Sequence, residues 1–280
     1  MGRGNRPPVI LAFGGFDPTG GAGVLMDAKA VHAAGGYAVA VPSCLAIQTT
    51  ATFDRIVPLP RSALERSLSR VVKSFRLRAV KIGMVGTRAA AEGLLRFLNR
   101  HRGLPVVLDP VLRSSSGMPL LAGNALPAYR NLLARATVLT PNLPEIEKIL
   151  ARSVGGFQDA VAAVRDLALA SGASVVLTGG HFPWPGKRGV DILFEGGTVT
   201  LLPPERTFPR RNPHGTGCAL AAGIAARLAA GDPLPEAVRT AKSILARHVE
   251  KGFPSAEGRW TLYAPDSSFF PAANSTRRAK

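Results

Sequence analysis

"VILAFGGFDPTGGAGVLMDAKAVHAAG", residues 9–35, decides the fold. The apolar run at 9–13 reads as a buried strand, a glycine-rich turn follows it, and residues 21–35 read as an amphipathic helix closed by Gly35. The unit recurs. "AVKIG" (79–83) precedes "RAAAEGLLRFLNRH" (88–101), "PVVLD" (105–109) precedes "NALPAYRNLLARA" (124–136), and "TVLT" (137–140) precedes "LPEIEKILA" (143–151). "FQDAVAAVRDLALASG" (157–172) then leads into "SVVLT" (174–178). Strands alternating with helices predict an α/β fold, a parallel sheet covered on both faces. "VDILFEGGTVTLL" (190–202) departs from the rule, because two alternating runs around "EGG" spell a hairpin at a sheet edge. Two helices follow. One carries Leu220, Ile224 and Leu228 on a single stripe and stops at Gly231; the other carries Val238, Ala241, Leu245 and Val249 and stops at Gly252. One domain over 8–258 is expected, followed by a flexible basic tail over 259–280.

Composition narrows the function. With 280 residues and 46% hydrophobic content, the chain can bury a full core, so disorder is excluded. No apolar run reaches the roughly 18 residues needed to span a bilayer. "PPVILAFGGF" (7–16) is broken too soon to serve as a signal peptide, so a cytoplasmic protein with no membrane partner is expected. Cys44 and Cys218 lie far apart and outside any CxxC pair, which predicts free thiols. The net charge of +17 favours anionic ligands, whether nucleotide, phosphate or nucleic acid. No helix-turn-helix, zinc-finger or RNP-type motif accompanies it, so a nucleic-acid partner is not expected.

Most of the unusual residues fall just after strands: "GGFDPTGGAG", "GMVGT", "DPVLRSSSG", "TPNLPE" and "TGGH". In an open parallel sheet these loops share the carboxyl edge, where ligands bind. Any one loop is accounted for as a tight turn; five together point to a site. No GxxxxGK[ST] is present, and "GGAG" does not complete GxGxxG, which disfavours a Walker-type phosphate loop and a nicotinamide dehydrogenase. An anion site comes instead from "HGTGC" (214–218), where Gly215, Thr216 and Gly217 open a helix whose free N–H groups face outward. Cys218 has two accounts. At a helix N-terminus its thiol pKa would fall and let it act as a base; equally, it would be a small side chain packing the first turn. Asp109 ends a strand, and Asn142 and Glu145 lie one helical turn apart, a set that suits Mg²⁺ bound to phosphate. Asn142 and Glu145 also spell a helix-capping pair, and both readings stand together.

Taken in order, "GGFDPTGGAGVLMDAKAVHAAGGYAVAVPSCLAIQTT", "KIGMVG", "VVLDPVL", "SGMPLL", "LTPNLPE" and "PHGTGC" resemble the hydroxymethylpyrimidine/phosphomethylpyrimidine kinases of thiamine biosynthesis, within the ribokinase-like superfamily. The resemblance runs from about residue 9 to about 255. It implies a three-layer α/β/α fold with a mostly parallel central sheet, usually a homodimer. It further implies ATP- and Mg²⁺-dependent phosphorylation of 4-amino-5-hydroxymethyl-2-methylpyrimidine and then of its monophosphate. It places Gly15, Ala22, Asp27, Gln48, Met84 and Val111 around the pyrimidine, with Gln48 on the ring edge and Met84 on its face. It gives Asp109, Asn142 and Glu145 to the ATP phosphate and metal loops, and Gly215, Thr216 and Gly217 to the anion hole. Cys218 takes the place where sugar kinases of the superfamily keep a catalytic aspartate.

Two departures stand out. Ser115 and Thr178 replace lysines that the family commonly places near phosphate, with Arg113 and Lys187 as candidate substitutes. The expectation is that the first phosphorylation survives this loss better than the second. Two other readings accompany the kinase: a pyridoxal or pyridoxine kinase, against which Gln48 in "AIQTT" argues, and a pyrimidine sensor that has lost turnover.

Overall fold

In the computed structural model, which describes residues 6–114, 117–180, 182–204, 206, 208 and 213–263, nine strands form one twisted sheet. Six run parallel: β1 (Val9–Phe16), β2 (Tyr37–Gln48), β4 (Leu77–Ile82), β5 (Val106–Leu108), β6 (Val138–Leu139) and β7 (Ser174–Leu177). Antiparallel strands close both edges, with β3 (Phe53–Pro58) beside β2 and the hairpin β8 (Asp191–Glu195) and β9 (Thr198–Leu202) beyond β7. The order is β3-β2-β1-β4-β5-β6-β7-β8-β9, so the chain starts in the middle of the sheet and winds outward in both directions. The hairpin expected at 190–202 is that edge.

Strand alternation divides the interior into two cores. Leu11, Phe13, Val80, Ile82 and Leu108 face one side. There they meet α2 (Arg61–Ser74), α3 (Arg88–Arg100), α4 (Leu126–Leu133), α5 (Leu143–Leu150) and α6 (Phe157–Ser171) through Leu64, Leu94, Leu132, Ile146 and Val164. Ile10, Ala79, Val107 and Val176 face the other side, covered by α1 (Gly23–Ala33), α7 (Thr216–Ala230) and α8 (Leu234–Lys251). The three layers follow from period-2 strands that are apolar on both faces. Helix stops are local: α7 ends at Gly231 with φ 104°, a left-handed position where a side chain would be strained.

The apolar stripe expected on α7 is too narrow. Nine residues from Ala219 to Ala229 are buried around most of its circumference, because the helix is wedged between the sheet, α1 and α8. Its alanines and Gly223, whose Cβ would come 3.0 Å from the Ala241 methyl, allow that close approach. A short two-stranded ladder, β10 (Phe253–Pro254) with β11 (Trp260–Thr261), crosses the boundary expected at 258, so the folded chain continues to Tyr263. The remainder of the expected tail, 264–280, lies outside the described residues. Among those described, no helix is long and apolar enough to cross a membrane.

Candidate active site

A cleft of about 1090 Å³ opens at the carboxyl end of the sheet. The residues assigned to the pyrimidine, to the phosphate and metal loops and to the anion hole all line it, although they come from six separate stretches of the chain. Its floor is set by small residues. At Gly15, near the end of β1, a Cβ would overlap the Met84 methyl and touch Cys44 Sγ at 3.5 Å; only glycine lets Met84 lie across that position. The Met84 carbonyl is fixed by the Ser43 hydroxyl, which donates to it at 2.6 Å. Cys44 is buried behind them, and both cysteines are free thiols.

The turn between β1 and α1 is organised by Asp17. Its carboxylate accepts from the Thr19 amide and hydroxyl and, at 2.8 Å, from the Ala22 amide that opens α1. Burial alone would raise its pKa, but hydrogen bonds from His214, Gln48 and Thr19 outweigh it and hold the carboxyl well below the usual range. His214 Nε2 lies 3.6 Å from Asp17 Oδ2. Gln48 is half-buried at the cleft and near enough to Asp17 to help lower its pKa, an interaction beside the expected ring-edge role. At the rim, the Thr49 and Thr50 hydroxyls donate to the two oxygens of Glu257 at 2.8 and 2.6 Å. The turn between β10 and β11 thereby ties down the tip of the β2–β3 hairpin.

The N-terminus of α7 abuts the same turn. Gly215 has φ 82°, and a Cβ there would occupy the space of the Gly21 carbonyl. A Cβ on Gly217 would sit 3.5 Å from Asp109 Oδ2, so the first turn of α7 faces the Asp109 carboxylate directly. The Cys218 thiol lies near enough to that carboxylate to lower its pKa. Here the expectation of a lowered thiol pKa is corrected. Burial, reinforced by the Asp27 and Asp109 carboxylates, overrides Lys81 and the backbone hydrogen bond from Gly23 and pushes Cys218 up to about 12. The half-buried thiol is protonated at rest.

Asn142 and Glu145 form the capping box their spacing announced. The Glu145 amide donates to Asn142 Oδ1 at 3.0 Å, and the Asn142 amide donates to Glu145 Oε2 at 2.9 Å. Glu145 is nonetheless held well above the usual range, by burial first and then by the Asp109 carboxylate; burial also raises Asp109. Two carboxyls, both raised by burial, are a donor set suited to a hard divalent cation, which takes one or two carboxylates and completes its shell with water and phosphate. The residues fit Mg²⁺.

Of the candidate substitutes for the absent lysines, Arg113 is exposed on the cleft wall and donates to the Gly117 carbonyl at 2.8 Å. Lys187 does not line the cleft; its nitrogen lies 4.5 Å over the Phe157 ring. Thr178 donates to the Pro141 carbonyl, and Ser115 lies outside the described residues. Lys81 was not anticipated. It lies wholly buried with its Nζ 2.7 Å from Asp27 Oδ1, and the attraction of Asp27, Cys218 and Asp109 overcomes burial and raises its pKa.

The sequence model of the family described as phosphomethylpyrimidine kinase matches residues 17–262. A hydroxymethylpyrimidine/phosphomethylpyrimidine kinase of Rhizobium meliloti (strain 1021) is 37% identical over 243 residues, covering 85% of this chain and 88% of the relative. Among solved structures, the phosphomethylpyrimidine kinase of Clostridium difficile 630 superposes with a TM-score of 0.74 at 27% identity, over 86% of this chain and 98% of that one. The pyridoxal kinase of Staphylococcus aureus in complex with AMP-PCP and pyridoxal gives 0.82 at 25% identity, over 92% and 94%.

Proposed function

The chain belongs to the phosphomethylpyrimidine kinase family, and from that premise we propose that it phosphorylates 4-amino-5-hydroxymethyl-2-methylpyrimidine with ATP, and then the monophosphate, as a step of thiamine biosynthesis. One observation carries this reading. The pyrimidine-side residues Gly15, Asp27, Gln48 and Met84 share one continuous cleft with the phosphate-side residues Asp109, Glu145 and Gly215. An acceptor hydroxyl and a donor phosphate can therefore meet at the first turn of α7.

In this reading Gln48, Met84, Ala22 and Val111 hold the ring, Asp27 accepts from it, and the amides after Gly215 receive the transferring phosphoryl group. Such a group passes through a loose transition state whose charge spreads over its oxygens, so positioned donors do most of the work. Because the thiol is protonated at rest, Cys218 serves first to orient the attacking hydroxyl. Early removal of the hydroxyl proton is not required in a loose transition state, and the proton passes late to an oxygen of the transferred phosphoryl group. Asp109 and Glu145, with Asn142 fixing the latter, would hold Mg²⁺, which when bound neutralises charge on the ATP phosphates. Arg113, which lines the cleft, would meet a phosphorylated substrate.

The working form is a cytoplasmic homodimer. Leu45, Ile47 and Val57 lie on one face of the edge hairpin at 38, 36 and 45% exposure, an apolar surface that a second copy would cover. The fold is also shared with pyridoxal kinases, and the solved structures stand near one another in identity, 27% for the pyrimidine kinase and 25% for the pyridoxal kinase; the family match over 17–262 and the 37% identity to the R. meliloti relative favour the pyrimidine. Purified protein with ATP and Mg²⁺ is expected to release ADP on adding the hydroxymethylpyrimidine, and more slowly on adding pyridoxal. Preference for pyridoxal would reassign the acceptor, and silence on both with the pyrimidine still bound would make the protein a sensor.

A further inference from the structure

Asp27 on α1 and Lys81 on β4 are both ionisable and both without exposed surface. Lys81 alternates with Val80 and Ile82, so its side chain enters the α1/α7 face, where its strand neighbours Ala79 and Val107 are apolar. Stability does not account for the pair, because well-packed apolar residues of similar volume hold a core as well as a buried ion pair does. Its geometry suggests a different use. Lys81 Nζ donates to Asp27 Oδ1 at 2.7 Å and is confined beneath Gly83, whose Cβ would come within 2.8 Å of it. Asp27 Oδ2 is buried with no hydrogen-bond partner among the described residues, and both side chains line the floor of the cleft.

We propose that Lys81 is a positioning residue for pyrimidine recognition: by engaging Oδ1 it fixes the carboxylate plane and presents Oδ2 as an acceptor for an N–H donor of the ring. An ionised carboxylate is acceptor-only, so it matches an amino group and not a ring nitrogen lone pair. The inference rests on the reading that Asp27 faces the pyrimidine.

Steady-state kinetics on Lys81→Met, Asp27→Asn and the double variant, varying pyrimidine and ATP separately, test it. Each single variant is expected to raise the pyrimidine KM by about 10- to 100-fold, the scale of a lost hydrogen bond to a charged group, with the ATP KM changed less than about twofold. If Lys81 acts through Asp27, the double variant is no worse than Asp27→Asn, since coupled residues are non-additive. Should Lys81→Met be too unstable to assay, Lys81→Gln replaces it, while the double variant, which carries no unpaired buried charge, still gives the additivity arm. An unchanged pyrimidine KM in the Lys81 variant, equal damage to the ATP KM, or a double variant showing the product of the two losses would overturn the proposal. An Asp27→Asn enzyme with unchanged pyrimidine KM would instead refute the placement of Asp27 on which it rests.

Discussion

Gly215→Ala tests the anion cradle more sharply than loss of any side chain would. At φ 82° an alanine incurs the left-handed penalty, about 1–2 kcal/mol. The larger effect is steric: the new methyl would fall on the Gly21 carbonyl, which is backbone and has no rotamer to yield. Relief requires the first turn of α7 to move away from the β1–α1 turn, carrying the amides of 216 and 217 with it. Misplacing such donors costs on the order of 10²–10³ in kcat. The strain should lower Tm by roughly 2–8 °C, at about 2–4 °C per kcal/mol for a domain somewhat smaller than this one. Gly217→Ala is the control for stability alone, since Gly217 itself belongs to the cradle: its methyl meets Asp109 at an ordinary 3.5 Å and an alanine in a helix gains about 1 kcal/mol over glycine. Thermal unfolding of both variants and ADP release by Gly215→Ala give the comparison. A Gly215→Ala enzyme within threefold of wild-type kcat and unchanged in Tm would refute the reasoning.

Cys218→Ala should lower kcat by about 2- to 10-fold, the scale of a lost hydrogen bond to the attacking hydroxyl, with little change in the ATP KM; unchanged turnover would return the thiol to a packing role. Its alkylation by iodoacetamide should stay slow from pH 6 to 8, since the thiol is pushed up to about 12. Arg113→Ala should reduce kcat/KM for the monophosphate more than for the alcohol, and equal losses would contradict its assignment to the phosphorylated substrate. His248 is held below 6.5 by burial first, then by Arg247 and Lys29. Above the unfolded value of about 6.5 both states are neutral; as pH falls through it, only the unfolded state takes the proton, so stability drops by at most about 1.4 kcal/mol per pH unit until the folded value is reached. His248→Asn should therefore show a smaller fall in Tm from pH 7.5 to 5.5 than the wild type.

What could be read from sequence alone follows the range of the interactions. Strand–helix alternation, the hairpin at 190–202 and the Asn142–Glu145 box depend on neighbours within a few residues, and each appears where its pattern lies. β3 has no clear sequence signal because "FDRIVP" breaks the apolar alternation with Asp54 and Arg55 in succession, both exposed on an edge strand. The Asp27–Lys81 pair joins a helix to a strand 54 positions away, and one lysine in "AVKIG" carries no local sign of its partner. Cys218 shows the limit differently. Its place at a helix N-terminus was legible, whereas the sign of its shift depends on burial and on the carboxylates of Asp27 and Asp109, which only the fold assembles.

Mass spectrometry of a timed reaction of the wild-type protein with ATP, Mg²⁺ and the hydroxymethylpyrimidine tests the central claim most directly. The account predicts a monophosphate that accumulates first and a diphosphate that follows more slowly, because Ser115 and Thr178 stand where the resemblance implies lysines. Recovery of the unchanged pyrimidine, with pyridoxal converted under the same conditions, would contradict it.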